Sequence, residues 1–420
     1  MDGLERLLQL AGALAEVVLG DDERGGAELL GELDDVAPAD VQAATRMFGQ
    51  ILEAATDARE RATATLCEHA YAHRPLWMAG RPLRFWLPTT RLTTVMQYAS
   101  RNLAKSLRAL GHEVHVSCEA NDMERVSPYH FARDYLCFGP DAVIAVNAGR
   151  PAYMHPDVIH IGWWQDPMPQ ITGGTPLPWQ ARDLVYSISH ELDKHLDNCA
   201  APTVQRQHFC IDTELFAVDP SARRDDKIVF IGSSYAGFLD GSDAERGALA
   251  ELREWLEAGK SFDAEQLRAL AVRHGLTFDH VFWNLFHYTV RDITLEWLCR
   301  VSPIPVEVDG RGWQTNRTVV PFFKGELAHG RSVAAVYNRA RYGLVTHPFE
   351  INSQRLAEVA ACGAIPVVFD CRNQHNAPHW ERHCNFFKRC DDLRDAVQRR
   401  PEAAPTAIVA SYSYAAFARR

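Results

Sequence analysis

The sequence lacks most of the signatures that would settle its class at once. Its ten cysteines, at 67, 118, 137, 199, 210, 299, 362, 371, 384 and 390, include no Cys-x-x-Cys pair. Scattered single cysteines are expected as reduced thiols in a cytoplasm, not as a disulfide framework or a zinc site. Cys118 and Cys362 fall in apolar runs and are expected as small core residues. No apolar run reaches the roughly 18 residues of a membrane-spanning helix, so no transmembrane segment is expected. The opening MDGLERLLQLAGALAEVVLGDDERGG lacks the basic start of a signal peptide. Basic residues are outnumbered, 44 Lys and Arg against 54 Asp and Glu, for a formal charge of −10. That balance argues against a nucleic-acid partner, while leaving room for a local basic pocket that takes a phosphorylated small molecule. Catalytic signatures are missing too. Without GxxxxGK(S/T), and without GxGxxG after a strand, an ATPase and a dinucleotide oxidoreductase lose support. Without GxSxG or HExxH, so do a serine hydrolase and a zinc protease. His379 and His383 in HWERH would share a helix face, but no further ligand accompanies them.

What is present is the composition of a globular chain, 47% hydrophobic and 23% charged. At 420 residues it predicts two domains instead of one core. Residues 1–75 are rich in Ala, Leu and Glu. Leu4, Leu7, Leu8, Leu10 and Leu14 recur at helical spacing, and Asp40 stands where an N-cap would, with no breaker before Gly49. A helical extension is expected, either purely structural or a surface for a second copy or another protein partner.

From Arg81 the pattern becomes strand–turn–helix–strand. Strands are predicted near 83–87, 113–118, 142–147 and 157–162, with a helix near 93–110 stopped by Gly111 and a further strand in DLVYSISHE ending at His190 and Glu191. Alternating strands and helices make this an α/β domain over 80–215. In open α/β sheets ligands gather beyond the carboxyl ends of the strands. That rule nominates Thr89, Thr90 and Arg91, then Asn147, Gly149 and Arg150, then Trp163, Trp164, Gln165 and Asp166. Asp166 reads either as a loop cap or as a base or sugar-hydroxyl acceptor, and His160 either as a core histidine or as a catalytic one.

FAVDPSARRDD (216–226) reads as a linker, and KIVFIGSSY opens a second α/β unit, with a strand at 227–231 running into Gly232-Ser233-Ser234. This small-residue turn either simply joins strand to helix or lets backbone amides approach a ligand. Asp243 to Val301 is mostly helical, and VEVDGRGW gives a strand ending in a glycine-flanked loop. The strongest stretch is 337–370, YNRARYGLVTHPFEINSQRLAEVAACGAIPVVFD: strand, loop, helix from about Gln354 to Ala361 capped by Asn352 or Ser353, then a buried parallel strand. Glu350 and Glu358 stand with seven residues between them, and Arg355 lies one turn before Glu358.

Glu350 and Glu358, followed by ACGAIPVVFD, resemble the Glu-x7-Glu motif of retaining GT-B glycosyltransferases, with one extra residue between Gly363 and Pro366. NSQRLAEVAACG is similar to the R-x-x-E-x-x-A-C-G run of the spore-maturation (CgeB-like) branch, and KIVFIGSSY and VEVDGRGW match that branch's G-S turn and G-x-G-W loop. The resemblance covers about 227–375 by motif and 80–215 by architecture alone. It implies an α/β, GT-B fold of two Rossmann-like domains facing across a cleft: 1–75 a helical extension, 80–215 the acceptor domain, 222–400 the donor domain, and 401–420 a tail that closes the domains with a helix. It implies a metal-independent hexosyltransferase-type enzyme (EC 2.4) with no cofactor. The donor would be a UDP- or GDP-type nucleotide-sugar and the acceptor a glycan, lipid or protein.

In this reading Ser353 starts a helix whose positive end faces the diphosphate, and Arg355 adds a bidentate phosphate contact. Glu358 takes the ribose, Glu350 the transferring sugar, and Gly310 and Trp313 lie against the nucleobase. One departure stands out: the family follows its first donor-domain strand with an Arg and a Lys for phosphate, whereas GSSYAGF has neither. Lys324, Arg291 and Arg311 are the basic residues left to replace them. A catalytically silent binding domain and a sugar-nucleotide epimerase are the alternatives.

Overall fold

The computed structural model describes residues 38–75, 80–125, 127–372 and 381–420. The predicted helix carrying Leu4 to Leu14, and His379 of the HWERH run, lie outside the described residues. Helix α1 spans Pro38–Ala72, so Asp40 falls within it and does not cap it. The same helix runs through Gly49, where an added Cβ would meet nothing within 4 Å. A lone glycine lowers helix stability by about 1 kcal/mol but does not end a helix that is otherwise favourable.

The first sheet keeps the predicted strands and their first helix, with three further elements: β1 (Arg84–Thr89), α2 (Thr94–Ala109), β2 (Glu113–Cys118), α3 (Tyr129–Phe138), β3 (Ala142–Val146), β4 (Ile159–Trp164), β5 (Leu184–Ser187), α4 (His190–Asn198) and β6 (Val204–Arg206). Helices α3 and α4 and strand β6 are the additions. Its six strands are ordered β2-β1-β3-β4-β5-β6. Two boundaries differ from expectation: β4 runs on to Trp164, so Trp163 and Trp164, expected just past the strand, lie on it and are fully buried. Strand β5 stops at Ser187, and His190 opens α4, because the Ser189 hydroxyl accepts the Leu192 amide as an N-cap.

The second sheet comprises β7 (Asp225–Ile231), β8 (Val306–Asp309), β9 (Phe323–Gly325), β10 (Ala340–Val345), β11 (Ile365–Phe369) and β12 (Asn385–Phe387), in the order β12-β11-β10-β7-β8-β9. Its pairings are parallel. Numbered within the sheet, this is 3-2-1-4-5-6, the dinucleotide-binding order, whose direction reverses between β7 and β10. Alternate residues of each strand face opposite sides, as a pleated strand requires. Ile228, Phe230 and Leu344 join the core under α5 (Asp243–Glu257), α6 (Ala264–His274) and α7 (Thr294–Val301). Val229, Ile231 and Val345 join the core under α8 (Arg331–Arg339) and α9 (Gln354–Ala361). At Gly343 a Cβ would lie 2.7 Å from Val359, so only glycine lets α9 settle this close to β10.

Between α6 and α7 the chain widens into two π-helical runs, His280–Phe286 and Thr289–Ile293. After β12 come α10 (Cys390–Ala396), a 3-10 run Pro405–Tyr412 and α11 (Tyr414–Ala418).

The chain divides into two compact units: residues 1–97, 113–145 and 150–160, and residues 98–112, 146–149 and 161–420. In the first, α1 packs against α3. In the second, the tail is tied at both ends. Phe417 sits edge-on to Trp163 and Tyr186, Ser413 bridges Ile211, and the Tyr412 hydroxyl donates to Asn352 at 2.9 Å. Among the described residues no helix is long and apolar enough to cross a membrane.

Candidate functional site

A cavity of about 320 Å³ opens at the carboxyl ends of β7, β8 and β10. It therefore sits at the reversal point of the second sheet, where this topology leaves a crevice between diverging connections. Its size is that of a small-molecule site. Ile231, Gly232 and Ser233 line it from β7, Gly310 and Arg311 from β8, Val345, Thr346 and His347 from β10, and Ser353 and Arg355 from the start of α9.

Of the predicted turn, Gly232 and Ser233 reach the cavity. Ser234 faces inward: its hydroxyl donates to Asp292, whose other oxygen accepts the Tyr235 amide at 3.1 Å. Asp292 is fully buried, and burial pushes its carboxyl up to about 6 against the hydrogen bonds from Ser234 and Tyr235. Gly310 supports the turn by proximity. It has φ 136°, and a Cβ there would fall 2.2 Å from the Gly232 carbonyl oxygen. Trp313 corrects an expectation. It is 0% exposed, packs edge-on to Phe230 and donates its indole N–H to the Gly232 carbonyl at 2.7 Å. A fully buried ring has no face for a nucleobase, so Trp313 braces the turn from below.

Arg291, from the second π-helical run, also lines the cavity. One terminal nitrogen donates to the Ser233 carbonyl at 3.2 Å, and the guanidinium lies 4.5 Å from the Tyr235 ring centre. Its Nε is shielded from solvent and meets no acceptor among the described residues. Burial pulls its pKa down, as does the neighbouring Arg355 charge, against Tyr235 and Asp292. Two guanidiniums held near each other repel, and an anion between them removes that cost.

The loop after β10 is built around buried polar groups. Ser353 caps α9, its hydroxyl accepting the Leu356 amide at 3.3 Å. Glu350 is 4% exposed; Oε1 accepts the Asn352 amide at 2.7 Å, and burial raises its pKa against that bond. Glu350 and Asn352 are not among the cavity-lining residues. Glu358 is buried beneath Arg355, which donates to it and to the Tyr337 hydroxyl, both at 3.2 Å; Gln354 donates to the other Glu358 oxygen at 3.0 Å. The Arg355 side chain keeps a third of its surface open, and its pKa is raised: burial works against the charge, but Tyr337 and Glu358 outweigh it.

The two first-domain candidates separate. Asp166 is exposed and accepts from the Asn147 amide at 2.6 Å, while Asn147 Oδ1 accepts the Gln165 and Asp166 amides at 2.6 and 3.0 Å. Burial of its surroundings raises the Asp166 pKa, opposed by Asn147. His160 is 0% exposed, and burial pushes its pKa down to about 3. This corrects its assignment as a catalytic residue: a side chain enclosed on β4 reaches no substrate.

Of the three basic residues left to replace the missing pair, Arg291 and Arg311 line the cavity and Lys324 does not. Arg311 also pairs with Glu326 at 2.9 Å. Thr346 and His347 were missed altogether. Their signal was position, two polar residues directly after a buried strand, which the rule applied to the first sheet would have flagged.

Residues 291–419, less than a third of the chain, match the protein family described as glycosyl transferase-like. No curated protein matches the chain in sequence. Among solved structures it is similar to sucrose-phosphate synthase from Thermosynechococcus elongatus, at 12% identity and TM-score 0.49, covering 80% of this chain and 96% of that one. It is similar to a glycosyltransferase from Rickettsia africae at 11% identity and TM-score 0.41, covering 80% and 96%. It is also similar to the Anabaena protein HepE in complex with UDP-glucose, at 10% identity and TM-score 0.46, covering 80% and 97%.

Proposed function

We propose that the protein is a retaining GT-B glycosyltransferase that takes a sugar from a nucleoside-diphosphate donor bound in the second-sheet cavity. One observation carries this reading: Arg291, Arg311 and Arg355, all within the region that matches the glycosyl transferase-like family, line a cavity at the reversal point of a parallel sheet. The donor carries a diphosphate, and these are the charges that would neutralise it.

As the bond from the sugar's anomeric carbon to the diphosphate breaks, negative charge grows on the departing phosphate and positive charge on the sugar. The three guanidiniums and the N-terminus of α9 stabilise the first. Because the arginines supply that charge, we propose that no metal and no cofactor take part, and transfer should persist in EDTA. Glu358 serves as a positioning residue, holding Arg355 in the cavity wall. Glu350 does the same for the Asn352 end of the loop. Asp166, with its raised pKa, is the group in the 80–215 domain suited to accept a proton from the acceptor hydroxyl. The acceptor is a glycan, lipid or protein.

The test is to incubate the protein with UDP-, GDP- and CMP-sugars and follow nucleotide release, with Arg291→Ala and Arg355→Ala as controls. Release from one donor, lost in both variants, is expected. Failure of any nucleotide to bind by calorimetry would overturn the reading. Interconversion of the free sugar nucleotide would point to an epimerase instead.

A further inference from the structure

At the end of β10 the cavity wall carries polar groups that the protein itself leaves without partners. His347 is one, and its protonation state follows from geometry alone. Its Nδ1 lies 3.2 Å from the Glu350 backbone nitrogen. A backbone amide can only donate, so Nδ1 must hold a free lone pair; the imidazole is therefore neutral and its proton sits on Nε2. Among the described residues Nε2 meets no acceptor, and the ring lines the cavity. The ring is held edge-on to Phe349 at 4.9 Å and to His287 at 6.0 Å, so it cannot swing to expose the other nitrogen cheaply. Beside it, the Thr346 hydroxyl and Arg291 Nε are buried and have no partner among the described residues, and both residues line the same cavity. Buried polar atoms left open in this way are rare in folded proteins, and these two, with His347 Nε2 open on the same wall, mark the place of a ligand rich in acceptors.

We propose that His347 Nε2–H, with Thr346 Oγ1–H beside it, donates to a non-bridging phosphate oxygen of the nucleoside diphosphate that Arg291 neutralises. The inference rests on the donor-site reading and adds to it. A neutral donor between two guanidiniums contributes a directed hydrogen bond without a third like charge. Burial and the Arg291 charge, which push the His347 pKa down to about 3, keep it neutral through the physiological range.

The experiment measures UDP and GDP affinity by calorimetry for the wild type, His347→Phe and His347→Gln, with uridine and guanosine as phosphate-free controls. His347→Phe should weaken binding of the nucleoside diphosphate about tenfold, the usual loss for one hydrogen bond to a charged acceptor, and leave nucleoside binding unchanged. His347→Gln, which can place an amide N–H nearby, should recover most of the loss. Nitrogen-15 spectra of labelled histidine, assigned through His347→Gln, should show the Nε2–H form in the free protein, with that proton moving downfield on adding UDP. His347→Phe binding the diphosphate as well as wild type, or an Nδ1–H form in the spectra, would overturn this inference alone. A wild type that binds neither diphosphate would overturn the donor-site reading and this inference with it.

Discussion

The ends of β3 and β4 differ from the ends of β7 and β10 in the charge they present, although both leave buried polar atoms without partners among the described residues, Gln165 Nε2 at the first and Arg291 Nε and the Thr346 hydroxyl at the second. After β3, Asn147 adopts φ 56° and spends its side chain on the chain itself, accepting two amides and donating to Asp166. The result is a braced, negatively charged turn. After β10 and around β7, Arg291 Nε, the Thr346 hydroxyl and His347 Nε2 meet no partner among the described residues, and Arg291, Arg311 and Arg355 outnumber the one carboxylate, Glu326, on the cavity wall. Two parallel sheets in one chain thus present different chemistry at equivalent edges. The first suits a group that gives up a proton, and the second suits an anion.

The largest effect expected is on the turn that floors the second site. Gly310→Ala forces a Cβ onto the Gly232 carbonyl and should cost about 3 kcal/mol or more of stability in urea unfolding, from clash and positive φ together. An unchanged midpoint would mean the turn is not held this way. Next, Arg291→Ala should weaken UDP or GDP binding about 100-fold, as losing a shielded charge-assisted contact does. If the loss is under threefold, the anion does not lie against this residue.

Asp292 offers a pH-dependent test. Its folded pKa, raised to about 6, exceeds the unfolded value of 3.8, so the folded state holds a proton the unfolded chain has lost between those limits. Its charge therefore costs stability above pH 6, and the cost fades as pH falls towards 4. The stability of Asp292→Asn relative to wild type should accordingly drop by about 2 kcal/mol from pH 7 to pH 4.5. A difference that stays flat over this range would place the Asp292 titration elsewhere. The smallest effect belongs to the first sheet. Asp166→Asn should leave nucleotide affinity within about twofold of wild type while slowing transfer, because in this reading the carboxylate serves the acceptor hydroxyl and not the diphosphate. A tenfold change in affinity would erase the distinction between the two edges.

The sequence carried most of the fold because its signals were local. Alternating strands and helices, Ser353 as cap and Cys362-Gly363 as stop are decided within a few residues, and the structure has them. The site was only partly legible, since it is assembled from distant segments. Arg355, expected to contact phosphate, lines the cavity because it lies one residue past the helix start. Trp313 was read as a base-stacking residue because a loop tryptophan after glycines looks exposed, yet its burial depends on Phe230, more than eighty positions earlier in the chain. Arg291 could be named but not placed. It reaches the cavity from a π-helical run, and that widened turn leaves no periodicity separable from an ordinary helix. His160 sits in an apolar run, where burial was the ordinary outcome.

The most direct test compares the two edges in one measurement, amide hydrogen exchange with and without saturating UDP or GDP. The account predicts nucleotide-dependent protection in peptides spanning 230–234, 308–312 and 344–356, with 145–168 unchanged. Protection confined to 145–168, or no protection anywhere, would contradict it.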